Sequence, residues 1–190
     1  MTSLNKTKTA NKIIAVVGMC GSGKTEAINI FLENGYQRIY FGDVTFNEMK
    51  KQNLEINEAN ERKIREELRA SGDIAIYAKK IEPEIKKAFE KGNVVLESLY
   101  AWSEYKYLKE IYGENLKVLA IVTDKKLRQK RLLTRPIRPL TKEEFLSRDY
   151  SQIEKLEQGG PISHADHFIT NNSTLKVFTN KVKKYIKSLE

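Results

Sequence analysis

The stretch "GMCGSGKT", Gly18 to Thr25, matches the pattern G-x-x-x-x-G-K-[ST] without a deviation. An apolar β-branched run, "KIIAVV" (Lys12 to Val17), leads into it. Behind it Ile28, Phe31 and Leu32 recur at helical spacing, and Asn34-Gly35 closes that helix. A strand ending in such a turn and feeding a helix aims backbone N–H groups and a positive helix end at one spot, a cradle for phosphate oxygens. Gly21, Ser22, Gly23, Lys24 and Thr25 are therefore the candidate phosphate-binding residues. Lys24 is expected to bridge the β- and γ-phosphates, and the Thr25 hydroxyl to ligate Mg²⁺. Cys20 lies inside the loop and reads as a small filler rather than a redox switch, because nothing marks its thiol as activated.

The rest of the chain alternates in the same manner. "QRIYFGD", "NVVLES" (Asn93 to Ser98), "LKVLAIVT" (Leu116 to Thr123) and "DHFITNN" read as four further strands. A helical stretch runs from about Asn57 to Lys91, interrupted near Ser71-Gly72-Asp73 and bent or restarted at Pro83. An aromatic-rich helix stops at Gly113, two helical patterns flank "RPIRPLT", and an amphipathic helix opened by Ser173 ends the chain. Strands alternating with helices imply a parallel α/β sheet covered on both faces, with ligands beyond the carboxyl ends of the strands. Residues 1–11 are expected to be a disordered tail and 12–190 a single domain, with a helical insertion over about 44–91 and a lid over about 128–148.

Composition narrows the ligand class. A net charge of +9 favours polyanions, nucleotides first and nucleic acid second, although scattered lysines interleaved with acids also suit a solvated surface. One cysteine excludes an internal disulfide, which makes a reducing cytoplasm the expected compartment. No apolar run has the length of a membrane span. With two histidines there is no zinc-like cluster, so the expected metal is Mg²⁺ arriving with a nucleotide.

A phosphate loop serves motors, GTPases and small-molecule kinases alike. An N-K-x-D stretch for reading guanine is absent, and "VVLES" carries Glu97 alone rather than Asp-Glu. Three features point to a kinase: acidic residues near the acceptor, an arginine-bearing lid, and a helical insertion that closes over the acceptor. Asp43, in "YFGDVTF", stands at the carboxyl end of the second strand, where it is placed to take an acceptor's proton or hold Mg²⁺ through water; a helix N-cap is the structural alternative. Glu97 ends the third strand, with a Mg²⁺-water contact or an ion pair as its two readings. Arg128, Arg131 and Arg135 share one helical face before Pro136, with Arg138 in the turn and Arg148 one helix later, as a charge-neutralising lid requires. Arg62, Arg65 and Arg69 form a second such face, open to acceptor phosphate or to pairing with Glu66 and Glu67.

"KIIAVVGMCGSGKTEA", "FGDVTF…NEANERKIREELRASGDIAIYAKK" and "RPIRPLTKEEFLSRD…EQGGPISHADHFITNNST" together resemble the archaeal-type nucleotide-kinase-like P-loop proteins, close to dephospho-CoA kinase and more distantly to adenylate kinase. The resemblance spans about Ile13 to Lys184. It implies a three-layer P-loop fold with a five-stranded parallel sheet, ATP as donor, Mg²⁺, and a lid containing Arg131, Arg135 and Arg138. It places Asn171 and Asn172 near the adenine and makes Asp166 a structural aspartate.

Relatives of adenylate kinase carry acceptor-gripping arginines where this chain has Thr45, Phe46 and Tyr100. With Trp102 and Tyr105 nearby, the acceptor side reads as aromatic, either a surface that stacks a base or simply helix core. The expectation is an ATP-dependent kinase for a small acceptor of the nucleotide, nucleoside or dephospho-CoA type. A nucleic-acid-associated ATPase and a non-catalytic ATP-binding module stand beside it as alternatives. The sequence assigns no oligomeric state.

Overall fold

The computed structural model describes residues 11–70, 72–136 and 139–189, so Arg138 and all of the expected tail over 1–11 except Asn11 lie outside the described residues. Asn11 is tied in: its Nδ2 donates to the Phe89 carbonyl at 2.7 Å.

Five strands, β1 (Ile13–Val17), β2 (Gln37–Tyr40), β3 (Val94–Glu97), β4 (Leu116–Val122) and β5 (His167–Thr170), form one sheet in the order β2-β3-β1-β4-β5, every pairing parallel. β1 is central and buried along its whole length, which is why it reads as an unbroken apolar run rather than an alternating one. Its side chains still divide by parity. Ile13, Ala15 and Val17 face one core, and Ile14 and Val16 the other.

The first core is closed by α4 (Ile76–Lys91) and α5 (Trp102–Tyr112), through Tyr77, Ile81, Ile85, Tyr105 and Leu108. The second is closed by α1 (Lys24–Glu33) and α9 (Leu175–Lys187), through Ile28, Phe31, Phe178 and Val182. Thr174, not Ser173, caps α9, accepting from the Val177 N–H. No helix among the described residues is long and apolar enough to cross a membrane.

The connections build the working edge. α2 (Asp43–Lys51) and α3 (Glu58–Arg69) join β2 to α4, and α6 (Lys125–Thr134) and α7 (Lys142–Tyr150) come after β4. α4 runs through Pro83 without restarting. A mid-helix proline costs about 3 kcal/mol, and the apolar face of Tyr77, Ala78, Ile81, Ile85 and Ala88, buried on the sheet, outweighs it. A π-helical turn at Ser151–Lys155 extends α7, and the short α8 (Gly159–Ser163) precedes β5; neither carries a sequence periodicity that announces it.

Candidate phosphate-binding site

The parallel register brings the ends of three strands together: Glu97 of β3 pairs with Val16 of β1 and Tyr40 of β2. The glycine loop leaves β1 at this edge. Gly18 (φ 144°) runs so close to β4 that a Cβ there would strike the Ile121 carbonyl. Gly23, at φ 102°, is the N-cap of α1, and a Cβ would collide with the Asn171 amide.

The loop is shaped by what holds its carbonyls. Ser22 O accepts from Asn171 Nδ2 at 2.8 Å and from Thr123 Oγ1 at 2.9 Å. Cys20 O accepts from Arg128 Nη1 at 3.0 Å. Gly18 O accepts from Lys24 Nζ at 2.6 Å and from Gln158 Nε2 at 2.9 Å, while Met19 O takes a further bond from Lys24 at 3.2 Å. With the carbonyls secured by these donors, the positive end of α1 and its unpaired N–H groups remain for an anion. Burial lowers the Lys24 pKa from 10.5 to about 8, against the opposing pull of Cys20 and Glu97. Among the described residues, Ser22 Oγ in the loop, Gln158 Oε1 of a side chain bonded to Gly18 O, and Arg131 Nη1 of a side chain bonded to Asn171 are buried polar atoms without a partner.

The other expected site residues fall into two groups. Glu97 ends β3, and Asp43 follows β2 as the first residue of α2. Glu97 Oε2 is 2.6 Å from Arg38 Nε, and its charge also acts on Lys24. The Arg38 guanidinium lies over the Tyr40 ring at 4.9 Å, and burial, Glu97, Asp43 and Glu61 all raise the Tyr40 hydroxyl pKa, with Arg38 opposing. Asp43 is also the acidic residue of the first turn of α2; the cap position itself is Gly42, so Asp43 is not the N-cap.

The second group is the arginines. Arg128 is buried in a bidentate pair with Asp149. Arg131 Nη2 donates to Asn171 O at 2.9 Å, and Arg135 ends α6 in extended backbone. Arg148, exposed on α7, acts electrostatically on both Lys24 and Tyr100, a relation the sequence spacing alone did not single out. Asn171 is buried as a brace beneath the loop, whereas Asn172 is exposed and accepts from the Asp124 N–H at 2.9 Å. Asp166 accepts from the Val118 N–H at 2.8 Å, the structural part expected of it.

The aromatic residues that follow Glu97 divide as well. Trp102 stacks on Tyr105 with centroids 5.0 Å apart, His164 meets both edge-on, and Gly160 of α8 packs against Trp102. Tyr105 belongs to the first core and the half-buried Trp102 packs against it, while His164 is exposed at their edge. Tyr100 stays at the strand ends, its hydroxyl 3.1 Å from Ser98 Oγ. An open groove of about 680 Å³ between α2 and α4, lined by residues such as Asn47 and Lys80, includes none of the loop residues.

A five-stranded parallel sheet with a glycine loop between β1 and α1 defines a P-loop α/β protein. An AAA domain family matches residues 14–156, and a UPF0200 protein of Pyrococcus horikoshii is 32% identical over 184 residues, covering 93% of this chain and 97% of its own. The chain belongs to both the AAA domain family and the UPF0200 family. In solved structures the same fold appears in a dephospho-CoA kinase from Campylobacter jejuni (TM-score 0.56, 19% identity, covering 95% of this chain and 98% of that one). It appears also in a gluconokinase from Sinorhizobium meliloti (TM-score 0.59, 16% identity, covering 95% and 94%). At these identities the likeness is one of fold.

Proposed function

We propose that this chain is an ATP- and Mg²⁺-dependent phosphotransferase that passes the γ-phosphoryl group to a small acceptor of the nucleotide, nucleoside or dephospho-CoA type. One observation carries the reading: the parallel register sets Glu97, at the end of β3, beside Val16 of β1 just before that strand runs into the glycine loop, while Arg128 of α6 reaches the Cys20 carbonyl of the loop at 3.0 Å. Donor cradle, acceptor-side carboxylate and lid cation thus meet at one strand edge, the site expected in folds of this kind.

The residues present fit the nucleotide's phosphates. The Gly21, Ser22 and Gly23 backbone, with Lys24 and Thr25, forms the cradle, and the buried Ser22 Oγ in the loop and Arg131 Nη1, on a side chain bonded to Asn171, are further polar atoms without a partner. The Thr25 hydroxyl, exposed on α1, and the Glu97 carboxylate, acting through water, are the oxygen donors suited to Mg²⁺. Mg²⁺ bound with the nucleotide supplies neutralising charge on the phosphoryl oxygens. We assign Asn171 and Asn172, which follow β5, to the adenine side.

In the transfer, Asp43 takes the acceptor's O–H proton as the acceptor oxygen bonds to the γ-phosphorus. The bond from that phosphorus to the β–γ bridging oxygen breaks, and ADP leaves. Arg131, Arg135 and Arg138 of the lid, joined by Arg148, stabilise the charge in flight. The test is ATP consumption over a panel of nucleosides, nucleoside monophosphates and dephospho-CoA, with products read by mass. The proposal requires one acceptor to gain a phosphoryl group; ATP turnover that no acceptor accelerates counts against it.

A further inference from the structure

Both backbone polar groups of Cys20 are held by the lid side of the molecule. Its carbonyl takes Arg128 Nη1 at 3.0 Å, and its N–H donates to Gln152 Oε1 at 3.0 Å. Gln152 stands in the π-helical turn, where Leu156 N–H reaches back five residues to Ser151 O. Its own carbonyl accepts from Gln158 N–H at 3.0 Å, across the left-handed Glu157 at φ 51°. A π turn rotates the downstream residues relative to a regular helix, and such turns recur at functional sites. Gln158 is fully buried, with Nε2 on Gly18 O and Oε1 without a partner. Two glutamines from one irregular segment therefore bracket the first half of the loop.

The first half of the loop is the side of the terminal phosphate. Lys24, whose task in such loops is the β- and γ-phosphates, has its ammonium on Gly18 O and Met19 O. The α1 N-terminus, from Ser22 to Thr25, serves the inner phosphates. The Cys20 N–H, next to Met19, is then an amide available to the third phosphoryl group and already taken by Gln152.

We propose that Gln152 is a specificity-determining residue, a gate on the γ-phosphate side of the loop that must release the Cys20 N–H when a nucleoside triphosphate binds and can stay in place when a diphosphate binds. Gln158 is its positioning partner. It keeps a donor on Gly18 O when Lys24 moves to the phosphates, so the loop carbonyl is never orphaned. The gate ties the occupancy of the loop to the π turn, and through it to α7 with Asp149 and Arg148. This inference rests on the nucleotide-binding reading above.

The test is calorimetric binding of ADP and of a non-hydrolysable ATP analogue to the full chain, its Gln152→Leu variant and its Gln152→Glu variant. Leucine cannot hold the N–H, and glutamate holds it with a charge that repels phosphate. The gate predicts that Gln152→Leu tightens the ATP analogue by about five- to tenfold with ADP within about twofold, the size of one hydrogen bond. Gln152→Glu should weaken the ATP analogue at least as much, again sparing ADP, and because it is nearly isosteric it controls for folding. Equal shifts for the two nucleotides, or none, overturn the gate and leave nucleotide binding standing. A parent chain that binds neither nucleotide overturns both.

Discussion

Arg128 and Asp149 form a bidentate ion pair at 2.7 and 2.8 Å, each side chain only 8% exposed, and the same guanidinium reaches the Cys20 carbonyl. A pair this dry links α6 to α7 and both to the phosphate loop. Removing one partner leaves an uncompensated buried charge, so Asp149→Ala should cost about 3–5 kcal/mol. Replacing both by apolar residues of similar volume should recover most of that stability, yet leave the Cys20 carbonyl unheld and nucleotide binding weaker. Denaturant midpoints and nucleotide titration of the single and double variants check the two halves.

Lys24 gives a pH signature. Its folded pKa of about 8 lies below the ordinary 10.5, so from pH 8 to 10.5 the unfolded chain binds more protons than the folded one. The Lys24 contribution to stability therefore rises with pH across that window. Bound phosphate favours the charged amine, so nucleotide binding near pH 8 should take up a proton, and affinity should fall above it by about tenfold per pH unit. Calorimetry in buffers of different ionisation enthalpy measures the uptake, and Lys24→Met should abolish it.

Glu104 gives the opposite slope. It is buried at the start of α5, where its Oε2 accepts from the Tyr100 and Ala101 N–H groups at 3.0 and 2.9 Å. Burial outweighs those bonds and raises its pKa from 4.5 to about 7. Between these values the folded state holds the extra proton, so this contribution is full below pH 4.5 and is lost as pH rises to 7. Glu104→Gln keeps an acceptor without the charge. Urea melts should show it more stable than the parent above pH 7 and lacking this decline.

Asn171 and Arg148 separate bracing from chemistry. Asn171→Ala removes the Nδ2 bond to Ser22 O from a buried position, and unfolding should register a loss of about 1–3 kcal/mol together with weaker nucleotide binding. Arg148→Ala, on an exposed side chain, should leave the melting temperature within a degree or two while lowering kcat by about a thousandfold. A loss confined to KM would instead assign Arg148 to binding.

The sequence made the sheet legible because its three central strands are local apolar runs, its strands alternate with helices, and its loop is a contiguous motif. It did not show which arginines are spent. Arg128, Arg131 and Arg135 share a helical face, but Arg128 is spent on Asp149, 21 residues away, while Arg131 gives Nη2 to Asn171, 40 residues away, and keeps Nη1 unpartnered. Gln152 and Gln158 carry no pattern at all, because what brings them to the loop is a π turn and a left-handed residue. The Trp102 ring, read as acceptor surface or core, was decided by α8, a Gly-Gly-Pro helix that local propensity argues against. Pro83, expected to bend or restart the helix, does not restart it, because tertiary burial outweighs local propensity.

The most direct measurement traces a labelled γ-phosphoryl group of ATP in the presence of Mg²⁺ and each candidate acceptor. Phosphoryl transfer requires the label to appear on one small acceptor in step with ADP, and Asp43→Asn to slow this transfer by far more than a few-fold. Label released only as inorganic phosphate, at a rate no acceptor changes or one that DNA or RNA stimulates, would contradict it.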